Sequence, residues 1–542
     1  MKDQSGQTSF KMADLPKLLV TILAVTLISL FFPAHNEGNL THSMNGVWTH
    51  SDLIAESSFK KNISLGIEGD SLNPLRKIQV NYNPGDIIVG QNQKIDEKTY
   101  QIIESYLAQK EANASPISSR IIYFIGYFLL TALIIGALLF YSMKYFPQIT
   151  SSISGVLFLV IWPVLFSFLV FLVNKNPSIS PYLIPFCLVP IIVFNFYGGR
   201  LALFIHIVVV LICSFLSELG YEFTFLQILA GIVTVLIISE TRYWNKFFMW
   251  ILVIMGTYMI GYLGLALINS GSLVSNEYPV FGWLALNCLL LLLAYPFIPI
   301  AEKIFGFTSS ITLAELCDMN KPLLKELSLK APGTLQHSLQ VAHLSEAAAD
   351  KIGCNGLLVK TAALYHDIGK LNKPEYFIEN SQGKNYHESL TNFESAEIII
   401  GHVTDGIERA KKARLPKLLI DFIMTHHGTT RVEYFYRKQK NDEPEREFDE
   451  SLFIYPGPKP TSKEQTILML ADSIEAASKS LKNPTGEDID KLIDGITDHK
   501  VKLGQLTESS LSFMELEECK NVFRSLLRSI YHVRIEYPEE KS

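Results

Sequence analysis

Apolar residues in this chain follow two rhythms. Up to about residue 300 they run in unbroken blocks, and beyond it they recur every third or fourth position among polar ones. A block of about 20 apolar residues is long enough for a helix to cross a bilayer. One such block spans Leu15–Ala34, and seven more lie at 121–142, 152–173, 180–198, 201–217, 224–239, 247–269 and 279–299. Short connections between the last seven predict one compact helical bundle.

Residues 35–119 interrupt the apolar blocks. The first half of that stretch is rich in Asn, Ser and Gly and is expected to be loosely structured. Between Ile78 and Lys110, a strand-like Val80-Asn81-Tyr82, the turn signal Asn83-Pro84-Gly85-Asp86, a second strand Ile87-Ile88-Val89 and a helix from Asp96 predict a small α+β unit. Residues 301–332 read as a helical linker broken at Pro322 and Pro332. Past it the three-four periodicity predicts an all-α domain, with Gly353, Gly369 and Gly428 at helix ends.

Lysine and arginine orient the membrane part. Lys2, Lys11 and Lys17 flank the first block, and Lys144, Arg200, Arg242, Lys246 and Lys303 fall in alternate loops, while the opposite loops carry only Lys175. Both termini are therefore expected in the cytoplasm. Leu15–Ala34 also fits a signal peptide, but Phe32-Pro33 before Ala34 makes a poor cleavage site, which favours a retained anchor. Cleavage would leave the C-terminal orientation unchanged.

Composition narrows the function. The chain has 542 residues, 48% of them apolar, and a net charge of −6, which gives no basic footprint for duplex nucleic acid. Its six cysteines show no CxxC spacing, and 35–119 holds none of them, so neither a zinc ribbon nor a disulfide framework is supported. Few ionisable residues interrupt the apolar blocks, His206 being the exception, which argues against a transporter.

The chemistry gathers in the soluble end. His337, His366, Asp367, His402, His426, His427 and Asp472 are seven nitrogen and oxygen ligands, too many for one ion and suited to two. Such donors without thiolates favour Mn²⁺ or Fe²⁺ over structural zinc. At a helix end His366 and Asp367 can diverge, so that the histidine serves one ion while the carboxylate bridges to the second. Two divalent ions, two carboxylates and five neutral imidazoles leave a charge of about +2, attractive to a phosphodiester, and the ions lower the pKa of bound water. Lys370 reads either as a charge at a helix end or as a phosphate contact. His343, His387, His499 and His532 are set aside as surface or supporting positions.

The strings GTLQHS (333–338), HDIGK (366–370) and HHGTT (426–430) resemble those of the HD-domain metal phosphohydrolases. Together with YHDIGKLNKPEYFIEN, GHVTDG and HHGTTRVEYFY, the plan over roughly 120–540 is similar to the seven-transmembrane receptor HD family of bacterial cyclic di-AMP phosphodiesterases. That resemblance implies one ion on His337, His366, Asp367 and Asp472, and a second on Asp367, His402, His426 and His427. It implies opening of cyclic di-AMP to pApA by a metal-activated hydroxide, with Lys370 on the phosphate and Thr429 and Thr430 as nucleotide contacts. Two departures stand out: the segment of about 85 residues at 35–119 is short for the family, and LTNFESA (390–396) lacks an expected proline.

The expected fold is mostly α: a polytopic helical membrane bundle followed by an all-α cytoplasmic HD domain, with a small α+β extracytoplasmic segment. Its layout is a cytoplasmic N-terminus (1–14), an anchor (15–34), the extracytoplasmic segment (35–119), the seven-helix domain (120–300), the linker (301–332) and the HD domain (333–542). The expected partners are cyclic di-AMP and the lipid bilayer, with a homodimer left open. The rival readings are a receptor that binds nucleotide without turnover and a hydrolase of cyclic di-GMP. Among hydrolases, the GxGYP stretch of the cyclic di-GMP group and the HDxxED pattern of (p)ppGpp enzymes are both absent.

Overall fold

The computed structural model describes residues 14–32, 48, 52–55, 58–66, 75–90, 93–113, 116–176, 178–217, 219–238, 244–270, 278–381, 383–445, 447–481 and 484–531. Lys2, Lys11, Pro33, Ala34, Arg242 and His532, used in the reading above, lie outside the described residues, as does all of 1–14 but Asp14. The chain divides into two compact units, the first ending at Phe305 and the second beginning at Gly306.

The first unit opens with α1 (Leu15–Phe31), which buries Ala24, Val25, Ile28 and Ser29. A small α+β unit follows, with strands β1 (Leu53–Ile54), β2 (Phe59–Gly66), β3 (Leu75–Tyr82) and β4 (Ile87–Val89) and helix α2 (Glu97–Asn113). The predicted turn forms, with the Asp86 N–H donating to Asn83 O at 3.0 Å and Gly85 at φ +95°. Asp96 caps α2 by accepting from the Thr99 N–H at 2.7 Å.

The pairing departs from expectation. β3 pairs antiparallel with β2 and β4 with β1, so the segment expected to be loose supplies two strands. What organises it is apolar burial rather than strand alternation: Trp48, Ala55 and Phe59 join Ile88, Val89, Ile95, Ile102, Ile103 and Tyr106 in one cluster. Three well-placed apolar side chains outweigh the polar composition around them.

Helices α3 (Pro116–Tyr145), the short α4 (Pro147–Thr150), α5 (Ile153–Asn174), α6 (Leu188–Tyr197), α7 (Gly199–Leu216), α8 (Gly220–Ile237), α9 (Trp244–Ser270), α10 (Tyr278–Leu290) and α11 (Ala294–Phe305) form the bundle. Helix α1 packs on α3 and α5, and α6 on α7. Among the described residues six helices are long and apolar enough to cross a membrane, and Leu15–Phe31 and Pro181–Tyr197 are shorter.

The reason is local at 180–198. Pro181 and Pro185 break the run, leaving a 3₁₀ turn at Pro181–Leu183 before the 10-residue α6. The backbone freed there is satisfied from elsewhere: the Asn287 amide donates to Tyr182 O at 2.9 Å and to Ile184 O at 2.8 Å. Irregular backbone at membrane depth is tolerated only with such partners.

The second unit is all helical apart from loops: α12 (Ser310–Leu316), α13 (Pro322–Lys330), α14 (Pro332–Lys351), α15 (Gly356–Tyr365), α16 (Asn392–Lys412), α17 (Lys417–Thr425), α18 (Glu433–Asp442), α19 (Lys463–Ser478), α20 (Gly486–Lys502) and α21 (Phe513–Tyr531). Helix α19 is buried nearly all round, from Gln465 to Ser478, and α14 and α15 pack against it. Capping boxes at Thr391/Glu394 and Ser462/Gln465 start α16 and α19, the helices that carry His402 and Asp472.

One glycine differs from its predicted role. Gly353 (φ +72°) and Gly428 (φ +56°) do end helices in the left-handed conformation, whereas Gly369 lies within a 3₁₀ turn at Ile368–Asn372. It is needed for close approach, because a Cβ there would stand 1.8 Å from His402 O.

Replacing Asn287 by Leu keeps the volume but removes both of these hydrogen bonds, leaving Ile184 O with the Phe186 N–H, and should cost about 1–2 kcal/mol. A thermal melt of the full chain in detergent measures it. A variant as stable as the parent would mean that the Asn287 amide does not hold the break together.

Candidate metal centre

Helix ends place the two adjacent pairs. His366 caps the C-terminus of α15 with helical angles, and Asp367 then turns to φ −108°, ψ 16° before the 3₁₀ turn. His426 caps α17 in the same way, and His427 follows it. The seven predicted ligands converge from α14, α16, α19 and these two helix ends. His337, His366, Asp367, His402, His426 and Asp472 are buried, and 22% of the His427 side chain is exposed.

Hydrogen bonds fix which nitrogen faces inward. The Nδ1–H groups of His366, His402 and His426 donate to the carbonyls three residues earlier, Ala363, Ile399 and Ile423. His337 Nδ1–H is held by the Glu475 carboxylate. In its neutral form each of these four imidazoles therefore presents an Nε2 lone pair to the centre.

The lone pairs meet acids and one another. His337 Nε2 lies 3.0 Å from Asp472 Oδ1 and 3.6 Å from Asp367 Oδ2, and His366 Nε2 lies 3.3 Å from Asp367 Oδ2. His402 Nε2 stands 3.3 Å from Asp367 Oδ1 and 3.2 Å from His426 Nε2. With both Nδ1 protons committed to carbonyls, a hydrogen bond between these two Nε2 atoms would need a further proton on one ring. Neither His366 Nε2 nor Asp367 Oδ1 has a hydrogen-bond partner, although both are buried. Converging lone pairs and orphaned polar atoms are what a cation satisfies, so these residues fit a metal centre.

Two groups of ligand atoms lie within 4.8 Å of one another: His337, His366 and Asp367 in one, and His402, His426 and His427 in the other. The two oxygens of Asp367 face one group each: Oδ2 is near His337 and His366, Oδ1 near His402 and, at 3.8 Å, His426. Asp472 reaches His337 and His366 through Oδ1 and, at 3.7 Å, His427 through Oδ2.

Charge follows geometry. Burial alone would lower the pKa of His366, but the Asp367 and Asp472 carboxylates outweigh it and hold the imidazole up to about 10. Burial, with the neighbouring His366 and His402, pushes His426 down to about 3. Burial opposes ionisation of Asp367, yet His366 and Lys370 keep its carboxyl well below the usual range.

Lys370 is committed to carboxylates, 2.7 Å from Asp367 and 2.8 Å from Glu379. Thr430 lines the cavity in front of the ligands, a space of about 570 Å³, while the Thr429 hydroxyl pairs with Gln505. His343 and His499 are exposed, and His387 Nε2 bonds Tyr376 O at 2.8 Å.

Sequence reasoning missed several supporting groups. Glu475 lies three residues after Asp472, and its spacing on one helical face was the available signal. Glu379 and Asn380 belong to the loop after HDIGK. Asn380 Oδ1 accepts from the N–H groups of Gly333 (2.9 Å) and Thr334 (3.2 Å), capping α14 from outside its own sequence, and Thr334 Oγ1 donates to Glu379. A Cβ on Gly333 would stand 1.9 Å from Glu379 O. The GTLQHS and FIEN strings are thus two halves of one clamp that sets the start of the His337 helix. No local pattern announces a cap that comes from 47 residues away.

A helical domain that gathers five histidines and two aspartates around an orphaned buried centre is of the metal-dependent HD phosphohydrolase class. Residues 334–477 match the HD domain, and residues 121–309 match the family described as 7TM receptor with intracellular HD hydrolase. The chain belongs to that family. It is similar to the cyclic-di-AMP phosphodiesterase PgpH of Bacillus subtilis, 34% identical over 476 residues covering 85% of this chain and 66% of that protein. The PgpH of Listeria monocytogenes is 33% identical over 84% of this chain and 64% of its own length. The chain therefore spans about two thirds of these relatives. The crystal structure of the Listeria PgpH HD domain in complex with cyclic di-AMP is 44% identical, with a TM-score of 0.38, covering 40% of this chain and 100% of that one.

Metal uptake should release protons. With no cation bound, His366 is protonated below about pH 10 and the His337 pKa is also raised, whereas His426 is already neutral. A ligating nitrogen must lose its proton, so Mn²⁺ affinity should fall as pH drops from 8 to 6, by about ten-fold per unit per proton. Calorimetry in buffers of different ionisation enthalpy counts the release, expected at about one to two protons. Zero release with flat affinity would remove His366 from the ligand set.

Proposed function

We propose that this chain is a membrane-bound, divalent-metal-dependent phosphodiesterase that opens cyclic di-AMP to pApA. The observation that carries the reading is the arrangement of two ligand groups on opposite oxygens of Asp367. The naming of relatives at 34% and 33% identity as cyclic-di-AMP phosphodiesterases supports the substrate.

In this reading His337, His366, Asp367 and Asp472 hold one ion, and Asp367, His402, His426 and His427 hold the other, as Mn²⁺ or Fe²⁺. Two such ions supply Lewis acidity to a phosphoryl oxygen and make water a stronger acid near neutral pH. The protein's own groups do the rest. Lys370 braces the Asp367 carboxylate through its 2.7 Å ion pair and offers positive charge toward the scissile phosphate. Glu475 keeps the proton of His337 on Nδ1, leaving Nε2 as a ligand. Thr430, on the cavity wall, is placed to meet the nucleotide, and Thr429 acts behind it through Gln505.

The distribution of lysine and arginine supports a cytoplasmic HD domain, with 35–119 on the far side as an input module. Packing of α1 on α3 and α5 supports a retained anchor at 15–34, because removing it would expose that seam. The domain plan follows: the bundle at 120–300, a linker at 301–332 and the hydrolase at 333–542. The clustered chemistry favours turnover over a receptor that only binds.

Incubating the full chain in detergent with Mn²⁺ and either cyclic di-AMP or cyclic di-GMP, with products identified by chromatography, tests the proposal. The expected product is pApA, with activity reduced at least about 100-fold in Asp367→Ala. Turnover of cyclic di-GMP alone would overturn the substrate, and normal activity of the variant would overturn the bridging role.

A further inference from the structure

Four lysine and arginine side chains line the cavity in front of the metal-ligating cluster: Lys370, Arg431, Lys479 and Lys500. Three of them have carboxylate partners. Lys370 is paired with Asp367 and Glu379, Lys479 lies 2.8 Å from Glu475, and Arg431 lies 2.9 Å from Glu433 and 3.3 Å from Glu450. Among the described residues, the Lys500 ammonium has no carboxylate within ion-pair distance and no hydrogen-bond partner.

Its burial makes that unusual. Lys500 is 8% exposed. It stands on the inward face of α20 after Ile489, Ile493 and Thr497, where helical periodicity predicts an apolar side chain. Desolvation lowers its pKa, and Asp472 is the charge that works against that. An ammonium on a largely buried side chain, open to this cavity and with no carboxylate beside it, is a ready site for an anion. The space it faces is the same cavity of about 570 Å³ that has His337, Asp367, His427 and Asp472 in its wall. An anion reaching Lys500 therefore shares that cavity with whatever occupies the metal ligands.

We infer that Lys500 holds the second, non-scissile phosphate of a substrate with two phosphodiesters, making the site selective for cyclic dinucleotides over single phosphodiesters. This rests on the phosphodiesterase reading of the metal centre and adds a residue that neither motif nor resemblance supplied. The metal centre takes the phosphate to be cleaved. Lys500 takes the other one, and the two anions of the ring fix the molecule in one orientation.

The full chain in lipid nanodiscs, loaded with Mn²⁺, is assayed with cyclic di-AMP and with bis(p-nitrophenyl) phosphate, which carries one phosphodiester. In Lys500→Met, KM for cyclic di-AMP should rise about ten-fold or more, with a smaller change in kcat, as expected for loss of one charged hydrogen bond. The ratio of kcat/KM for cyclic di-AMP to that for the nitrophenyl ester should fall by about the same factor, and Lys500→Arg should restore most of it. Equal loss on both substrates, or an unchanged ratio, overturns the assignment even where the parent protein cleaves cyclic di-AMP. A parent protein that cleaves the nitrophenyl ester but no cyclic dinucleotide overturns the underlying reading, and this inference with it.

Discussion

Lone-pair crowding is the constraint around which the second unit is built. Four imidazoles have their Nδ1 protons tied to carbonyls or to Glu475, and their Nε2 atoms point at one another and at two aspartates. In an interior that excludes water, such a set is costly to assemble without positive charge at its middle. Divalent metal, in the number proposed, would turn the same arrangement into a favourable one, and the energy that would have opposed folding would then hold the helices together.

The packing shows how five helical segments reach so small a volume. His366 and His426 cap helix ends, where a side chain can bond the carbonyl three residues back and still project forward. Gly369 lets the 3₁₀ turn after Asp367 press against the backbone of His402, and Gly333 does the same for the His337 helix against Glu379. Asn380 and Glu379 tie that helix start to the loop that follows the aspartate, while Lys370 links the loop back to Asp367 itself. Ligand positions are thus set by backbone contacts that any added side chain would spoil.

Much of this was legible beforehand. The apolar blocks announced the bundle because a bilayer demands length and little else, and the three-four periodicity announced the helical second unit. The seven candidate ligands stood out because His-Asp and His-His pairs are rare side by side. The sequence did not reveal the break near Pro181 and Pro185, since the amide that satisfies it comes from Asn287, about a hundred residues later. Nor did it reveal β1 and β2, whose polar composition hid the few apolar side chains that anchor them. Glu475 and Lys500 were readable in principle, as charged residues on the buried faces of α19 and α20, but only once those faces were known to be buried.

Two cations sharing one carboxylate is the central proposal, and counting metal is the direct way to test it. Elemental analysis of the purified, active full-length chain should find two transition-metal ions per molecule, with both lost together when Asp367 is replaced by Ala. An active preparation with one ion or none, or a variant that still holds two, would contradict it.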